Sequence, residues 1–275
     1  MKVEISSLLQ NPSPLVMGIL NVTPDSFSDG GKFTGIDSAL KQAQIMLKEG
    51  ADIIDIGGES TRPGAQAVSI EEELQRTIPV IEALRQRMDA VVSIDTSKPA
   101  VMKAAVEAGA CLINDVRALR EPGALEIAAQ LDVPVCLMHM QGEPRTMQAE
   151  PEYENVVNEV KTFLSERVDA CLNAGIKKER LIIDPGFGFG KTLQHNLSLF
   201  KHLPEFHELG VPLLVGVSRK SMIGMLLDRE VDERMPASIT MAGLATWLGA
   251  KILRVHDVRE TVDAVRMVHA IQSAQ

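Results

Sequence analysis

Gly50-Ala51-Asp52-Ile53-Ile54-Asp55, Gly109-Ala110-Cys111-Leu112-Ile113-Asn114 and Gly249-Ala250-Lys251-Ile252-Leu253-Arg254 share one cadence: a glycine, a short apolar run, and a polar residue at its end. Each follows a helix-like stretch. Glycine suits the position just past a helix end, where φ is positive and a Cβ is costly. The brief apolar run behind it reads as a buried parallel strand. Working outward, the same signal predicts strands over residues 15–20, 53–56, 91–94, 112–113, 135–138, 181–183, 213–217 and 252–255. The intervening stretches read as helices. Residues 37–49 place Leu40, Ala43, Met46 and Leu47 on one face. Ser69 with Glu72 is a capping-box signature for a helix over 71–86, and Pro99 falls in the first turn of the next. Eight strands alternating with helices in a chain of 275 residues predict a single α/β domain, a (β/α)8 TIM barrel spanning 1–275. The alternative is a doubly wound open sheet. Against it, no GxGxxG follows the first strand and no shift in composition marks a second domain.

Composition narrows the function. Apolar residues make up 45% and charged residues 24%, as in an ordinary globular protein. No apolar run is long enough to span a bilayer, and the first ten residues lack a signal-peptide pattern, so a cytoplasmic enzyme with no membrane partner is expected. Cys111, Cys136 and Cys171 lie far apart in apolar stretches, and reduced thiols are expected of them. The net charge of −9 argues against nucleic acid as a partner. A small anionic ligand would need positive charge gathered locally.

In a β/α barrel the active site lies at the C-terminal ends of the strands. Those ends read Asn21, the Glu59-Ser60-Thr61-Arg62 loop, Asp95, Asn114, His139, Asp184, Ser218-Arg219-Lys220 and Arg254-Val255-His256. One such residue is a strand terminator or a helix cap; a whole ring of them is a site. Asp95, Asn114 and Asp184 offer acceptors that suit the amidine-like edge of a flat heterocycle, and Lys220 adds a donor. Arg62, Arg254, His256 and the amide of Asn21 suit a phosphate or diphosphate. The polar loop 23–31 ends in paired glycines and could move over the site. Bland readings stand beside these: Asp95 and Asp184 as helix caps, Lys220 as a solvated or Schiff-base lysine, His139 and His256 as structural, Cys136 and Met138 as core. The stretch 185–192 imitates a P-loop, but Pro185 occupies the position of the first Walker glycine, so it reads as a glycine-rich loop letting backbone approach a ligand.

These same residues resemble the signatures of bacterial dihydropteroate synthases. The likeness is carried by Met17-Gly18-Ile19-Leu20-Asn21-Val22-Thr23-Pro24-Asp25-Ser26-Phe27-Ser28-Asp29-Gly30-Gly31 and by Gly57-Gly58-Glu59-Ser60-Thr61-Arg62-Pro63-Gly64. It extends through Ser93-Ile94-Asp95-Thr96, Ile113-Asn114-Asp115, Leu137–Gly142, Asp184–Lys191, Gly216–Ser221 and Arg254–Asp257. The resemblance implies an alkyl/aryl transferase of folate biosynthesis that joins a dihydropterin diphosphate to p-aminobenzoate by an SN1-like displacement. It implies that Asp95, Asn114, Met138, Asp184, Phe189, Gly216 and Lys220 hold the pterin. Asn21, Thr61, Arg62, Arg254 and His256 would hold diphosphate, with Asn21 also reaching Mg²⁺. Phe27, Pro63, Phe189, Lys220 and Ser221 would line the p-aminobenzoate pocket, where sulfonamides compete. Asp95, Lys220 and Arg62 would carry the catalytic roles, and a homodimer is implied. Rival readings are a methyltetrahydrofolate-dependent methyltransferase, a class I aldolase built on Lys220, and a non-catalytic pterin-binding homologue. The first has no use for the 25–31 loop, and the last would have lost Asn21, Arg62 or His256.

Overall fold

Why eight short runs close into a ring is visible in their pairing. The computed structural model describes residues 5–23, 32–60, 65–142, 147 and 151–274. Strands β1 (Leu15–Asn21), β2 (Ile53–Gly57), β3 (Val91–Asp95), β4 (Leu112–Asp115), β5 (Val135–Met138), β6 (Leu181–Asp184), β7 (Leu214–Val215) and β8 (Ile252–Val255) form one parallel sheet in the order β6-β5-β4-β3-β2-β1-β8-β7. A parallel bridge between Ile183 and Leu213 joins the two outer strands and closes the barrel. The connecting helices are α2 (Lys32–Glu49), α3 (Ile70–Arg87), α4 (Pro99–Ala108), α5 (Ala124–Gln130), α6 (Val156–Asn173), α7 (Leu193–Lys201), α8 (Ser221–Leu227), α9 (Met235–Trp247) and α10 (Val258–Gln272). Before them, α1 (Ile5–Leu9) lies under the barrel.

Side chains alternate along a strand, so one parity faces the helices and the other faces the barrel axis. Val16, Ile54, Val92, Ile113, Leu137, Ile183, Val215 and Leu253 pack outward into the large core shared with the helices. Leu15, Met17, Ile53, Val91, Leu112, Cys136, Ile182, Leu214 and Ile252 pack inward as a second cluster, which Ile5 of α1 caps from below. Each fully buried aliphatic side chain contributes roughly 1.5–3 kcal/mol. This inner layer is the floor. Two residues further along β2, β4, β6 and β8, the same parity places Asp55, Asn114, Asp184 and Arg254.

Several helix boundaries follow from local chemistry. Gly50, Gly109 and Gly249 have φ of 100°, 114° and 92°, as the repeated cadence predicts. The Ser69 side chain accepts the Glu72 N–H at the start of α3, but the Glu72 carboxylate pairs with Arg76, so only half of a capping box forms. Pro99 takes the first helical position of α4. The clearest departure is β7, expected over 213–217 but only Leu214–Val215 in the ladder. The chain leaves the sheet at Gly216 because Arg219 turns in a left-handed conformation, φ 55°, held by its N–H to Ser238 Oγ (2.9 Å) and its guanidinium on Asp257. That turn aims Lys220 at the barrel mouth.

Candidate active site

The second inward layer is polar. Asp55, Asn114, Asp184 and Arg254 each lie two residues beyond a floor residue, and Asn21 and Asp95 lie further along the same parity. Arg254 is its hub: Nε donates to Asp55 Oδ2 at 2.7 Å and Nη2 donates to Asp95 Oδ2 at 2.7 Å. Asn114 Nδ2 donates to the same Asp55 oxygen at 3.2 Å. An ionised carboxylate only accepts, so this bond fixes the amide polarity of Asn114 and leaves its oxygen as an acceptor for a ligand. Asp55 is fully buried and serves both partners through Oδ2.

Burial pushes the Asp95 carboxyl up to about 7, with Arg254 pulling the other way and Asp55, Glu73 and Asp115 adding to the rise. Burial also raises Asp184, partly offset by the N–H of Gly186, which donates to its Oδ1 at 2.8 Å, and by Lys220 and Lys191. Lys220 is lowered to about 8 by burial and by Arg254, against the pull of Asp184 and Asp95. Its Nζ lies 4.2 Å from the centre of the Phe189 ring, a cation–π contact. Gly188 makes room for the lysine stem, since a Cβ there would come within 3.2 Å of Lys220 Cδ. Phe189 itself packs with Met138, Val116, Met140 and Met147 in a small buried cluster beside the polar layer. The site thus sets acceptors beside apolar and cationic groups.

His256 sits at the other side of the mouth. Its N–H donates to Ser218 Oγ at 3.2 Å, and its Nδ1 lies 3.1 Å from the same hydroxyl. With the hydroxyl proton on Nδ1, the ring is the neutral tautomer carrying its proton on Nε2. Burial, Arg254 and Arg219 lower its pKa to about 4, so His256 offers an anion a neutral donor. Asn21 ends β1 with Gly57 beside it, and a Cβ on Gly57 would lie 3.6 Å from Asn21 Oδ1 and 3.8 Å from Asp95 Oδ2. Glu59 accepts the Val68 N–H at 3.2 Å and pairs with Lys98 at 2.5 Å, tying together the stem of the β2–α3 connection.

Of the residues read from sequence, Asn21, Asp95, Asn114, Met138, Asp184, Phe189, Gly216, Lys220, Arg254 and His256 lie at strand ends or in the loops after them, and Ser221 opens α8 just beyond. Phe27, Thr61, Arg62 and Pro63 lie outside the described residues. The pterin half and the anion half are not separate, because Arg254, read with the anion set, is bonded to Asp95 of the other. Neither Asp95 nor Asp184 caps a helix. His139 is structural: its ring meets Phe163 edge-on at 4.9 Å and its Nδ1 faces Lys191. Sequence reading gave no role in the site to Asp55 or Lys191, and named Ser218 only as part of the Ser218-Arg219-Lys220 strand end. Asp55 carried a signal, an acid inside the otherwise apolar run Ile53–Gly57 with the parity of the barrel interior.

This layer of acceptors beside stacked apolar groups is matched by likeness to known proteins. The model of a family described as pterin binding enzymes matches residues 17–256. A dihydropteroate synthase of Escherichia coli K12 is 58% identical over 262 residues, covering 95% of this chain and 93% of that protein. The chain belongs to the dihydropteroate synthase family. Among solved structures, the family's Yersinia pestis member with a sulfonamide drug superposes with a TM-score of 0.91 at 55% identity, covering 97% of this chain and 96% of that one. The Xanthomonas albilineans member in complex with 7,8-dihydropteroate gives 0.87 at 51% identity, covering 96% and 95%. The barrel fold is thus common to the family. No described helix is long and apolar enough to cross a membrane.

Proposed function

We propose that this chain condenses 6-hydroxymethyl-7,8-dihydropterin diphosphate with p-aminobenzoate, giving 7,8-dihydropteroate and diphosphate. The observation that carries the reading is the set of acceptors Asp95, Asn114 and Asp184, the first two tied together through Arg254 and Asp55, which match the donors on an aminopyrimidine edge, in a chain 58% identical to a dihydropteroate synthase. The C–O bond to diphosphate breaks with its electron pair leaving on the diphosphate. The pterin methylene cation is delocalised into the ring, the arylamine nitrogen attacks it, and the nitrogen then loses a proton. No enzyme nucleophile is needed, in keeping with a site built of acceptors and donors. Asp95, Asn114, Asp184 and Lys220 would hold the pterin against Phe189 and Met138. Arg254, His256 and Asn21 would face the diphosphate, and Arg62 with Thr61 would complete that side. Ser221, Phe27 and Pro63 would line the aminobenzoate side.

Mg²⁺ fits this donor set in a limited way. Among the described residues no cluster of three His, Cys, Asp or Glu could hold a metal. The ion prefers a few protein oxygens together with phosphate oxygens and water. Asn21 would supply one amide oxygen, and bound Mg²⁺ would neutralise charge on the leaving diphosphate. A homodimer belongs to the same reading. Leu244 and Trp247 on α9 and Met267 and Ile271 on α10, helices packed on each other, are half or more exposed. Sedimentation should give twice the chain mass of 29.9 kDa. A cytoplasmic location accords with the free thiols Cys111, Cys136 and Cys171.

The deciding experiment is diphosphate release measured with each substrate alone and with both. Release that requires p-aminobenzoate as well as the pterin diphosphate is expected. Release without the amine, or methyl transfer from a methyltetrahydrofolate, would replace this reading with a hydrolase or a methyltransferase.

A further inference from the structure

The Pro185–Thr192 stretch imitates a P-loop in sequence, yet its lysine does not face a ligand. Lys191 is buried, 3% exposed, and its Nζ lies 2.9 Å from Gly186 O, 3.0 Å from Phe189 O and 2.9 Å from His139 Nδ1. His139 O is a fourth neighbour at 3.5 Å. An ammonium has three protons and no acceptor, so three close acceptors saturate it. The acceptors converge for a reason. Gly186, Gly188 and Gly190 all adopt left-handed conformations, φ 71°, 78° and 60°. In that fold the carbonyls of Gly186 and Phe189 both come within hydrogen-bond reach of one buried point. A buried carbonyl without a donor is costly, and a point-like cation on a flexible stem can meet several at once.

The same loop is pressed against the end of β5 and the segment that follows. A Cβ on Gly186 would fall 1.9 Å from His139 O, and one on Gly190 would fall 2.4 Å from Gln141 O, so only glycine permits the approach. Tyr153 Oη donates to Gly190 O at 2.7 Å. Burial and the nearby Lys191 charge lower the His139 pKa well below the usual range and keep the imidazole neutral, so its Nδ1 accepts from the Lys191 ammonium; burial also lowers Lys191, to about 7, with Asp184 pulling it back up. Asp184, Lys220 and Arg120 are the other charged groups acting on this pair. Phe189 lies inside the clamped loop, and Lys220 lies over its ring.

We propose that Lys191 is a positioning residue for the transferase reaction: its ammonium locks the β6–α7 loop to the end of β5 and so holds the Phe189 ring where Lys220 and both substrates meet it. This rests on the function proposed above, and wild-type diphosphate release dependent on both substrates is the control that tests that reading separately. The experiment compares Lys191→Met, Phe189→Ala and the double variant. Calorimetry measures a pterin lacking diphosphate and, separately, inorganic diphosphate with Mg²⁺; steady-state kinetics give KM and kcat. For Lys191→Met, pterin affinity should fall ~10-fold or more, because an ångström of misplacement in a site has effects of that size or larger. KM for p-aminobenzoate should rise with it, while diphosphate affinity stays within ~2-fold, since Asn21, Arg254 and His256 stand on other strands. In the Phe189→Ala background, Lys191→Met should add little. Unchanged pterin affinity in a folded Lys191→Met protein overturns the proposal. So does full additivity in the double variant, which would make Lys191 a general stabiliser. Should Lys191→Met fail to fold, Lys191→Gln is judged on the same two criteria. Tyr153→Phe then removes one further anchor of the loop; a ~2- to 3-fold loss of pterin affinity with no change for diphosphate is expected, and equal losses for both ligands count against the proposal.

Discussion

The barrel interior has two layers built by the same strands at the same parity, and they are opposites. Ile53, Val91, Leu112, Cys136, Ile182 and Ile252 form an apolar floor. Two residues on, Asp55, Ser93, Asn114, Met138, Asp184 and Arg254 form a mostly polar layer open toward the mouth. The strands do not change character between the layers; only the side chains do. The floor supplies burial, and the layer above it tolerates desolvated charge because the floor and the surrounding helices have already closed the barrel. Stability and recognition are thereby separated along about two residues of strand.

The sharpest way to break this comparison is a pair of substitutions on β6. Asp184→Ala should abolish pterin binding while thermal stability stays near wild type. The loss should exceed the ~10- to 150-fold of a single charge-assisted hydrogen bond, because a carboxylate can meet two donors of an aminopyrimidine. Ile182→Ala, two residues earlier, should cost about 2–5 kcal/mol in urea unfolding and leave pterin affinity unchanged in the folded protein. Calorimetry and denaturation on both variants check this. If the two proteins lose stability and affinity alike, the layers are not functionally distinct.

Asp55 should violate the separation, which makes it informative. It stands immediately above Ile53, is fully buried, and holds both Arg254 and Asn114. Removing one member of a buried charge pair strands the other, at a cost of about 3–5 kcal/mol. Asp55→Ala should therefore show both a floor-like loss of stability and a site-like loss of pterin affinity. Asp55→Asn keeps the shape but frees Asn114 to turn its amide, so affinity should fall more than stability. Denaturation and pterin titration of the two variants, side by side, decide whether Asp55 bridges the layers.

How much of this could be read from sequence follows the same division. Alternation of apolar runs with glycine-ended helices carries the barrel, because every strand must bury both faces. Strand-end polarity carries Asn21, Asp95, Asn114, Asp184 and His256. Asp55 escaped that filter because it sits one layer below the strand end, although its parity marks it as interior. Lys191 escaped because a glycine-rich loop with a lysine reads as a ligand cradle, whereas three left-handed glycines turn the loop's carbonyls onto the lysine itself. The short β7 was not legible because its exit is set by Arg219 bonds to Ser238 and Asp257, 19 and 38 residues away in sequence. Nor does sequence tell that Arg254 would turn toward Asp55 and Asp95 rather than outward.

Within the upper layer the two sides of the mouth can be told apart by ligand. Arg254→Ala should weaken both the pterin and inorganic diphosphate, since Arg254 braces Asp95 and faces the mouth. His256→Ala should weaken diphosphate alone, by roughly 1.5–3 kcal/mol or about 10- to 150-fold, as expected for a donor to an anion. Titration of both variants with a pterin lacking diphosphate and with diphosphate itself is the check. Equal losses for both ligands in His256→Ala would place that histidine in the scaffold.

The smallest effect is expected from pH, and its sign can be worked out from two groups of the proposed pterin site. Burial raises the Asp95 carboxyl to about 7 and lowers Lys220 to about 8. In the proposed function Asp95 accepts from the pterin and must be ionised to do so, so binding should weaken as pH falls through about 7. Lys220 must be protonated to donate, so binding also weakens as pH rises through about 8. Affinity for a pterin lacking diphosphate, which removes phosphate titration from the experiment, should be bell-shaped between these limbs. From pH 7 to 6 the ionised fraction of a group with a pKa near 7 falls from about one half to about one tenth, a ~5-fold loss of affinity, and the alkaline limb should fall similarly from pH 8 to 9. Asp55 sharpens the test because its negative charge is one of the influences holding Asp95 up. In Asp55→Asn the acid limb should move to lower pH while the alkaline limb, set by burial of Lys220 among other groups, stays nearly in place. In Ile182→Val, a mild change confined to the floor, neither limb should move. A flat profile in the wild type, or an acid limb that shifts in the floor variant as much as in Asp55→Asn, would show that the titration does not belong to the polar layer.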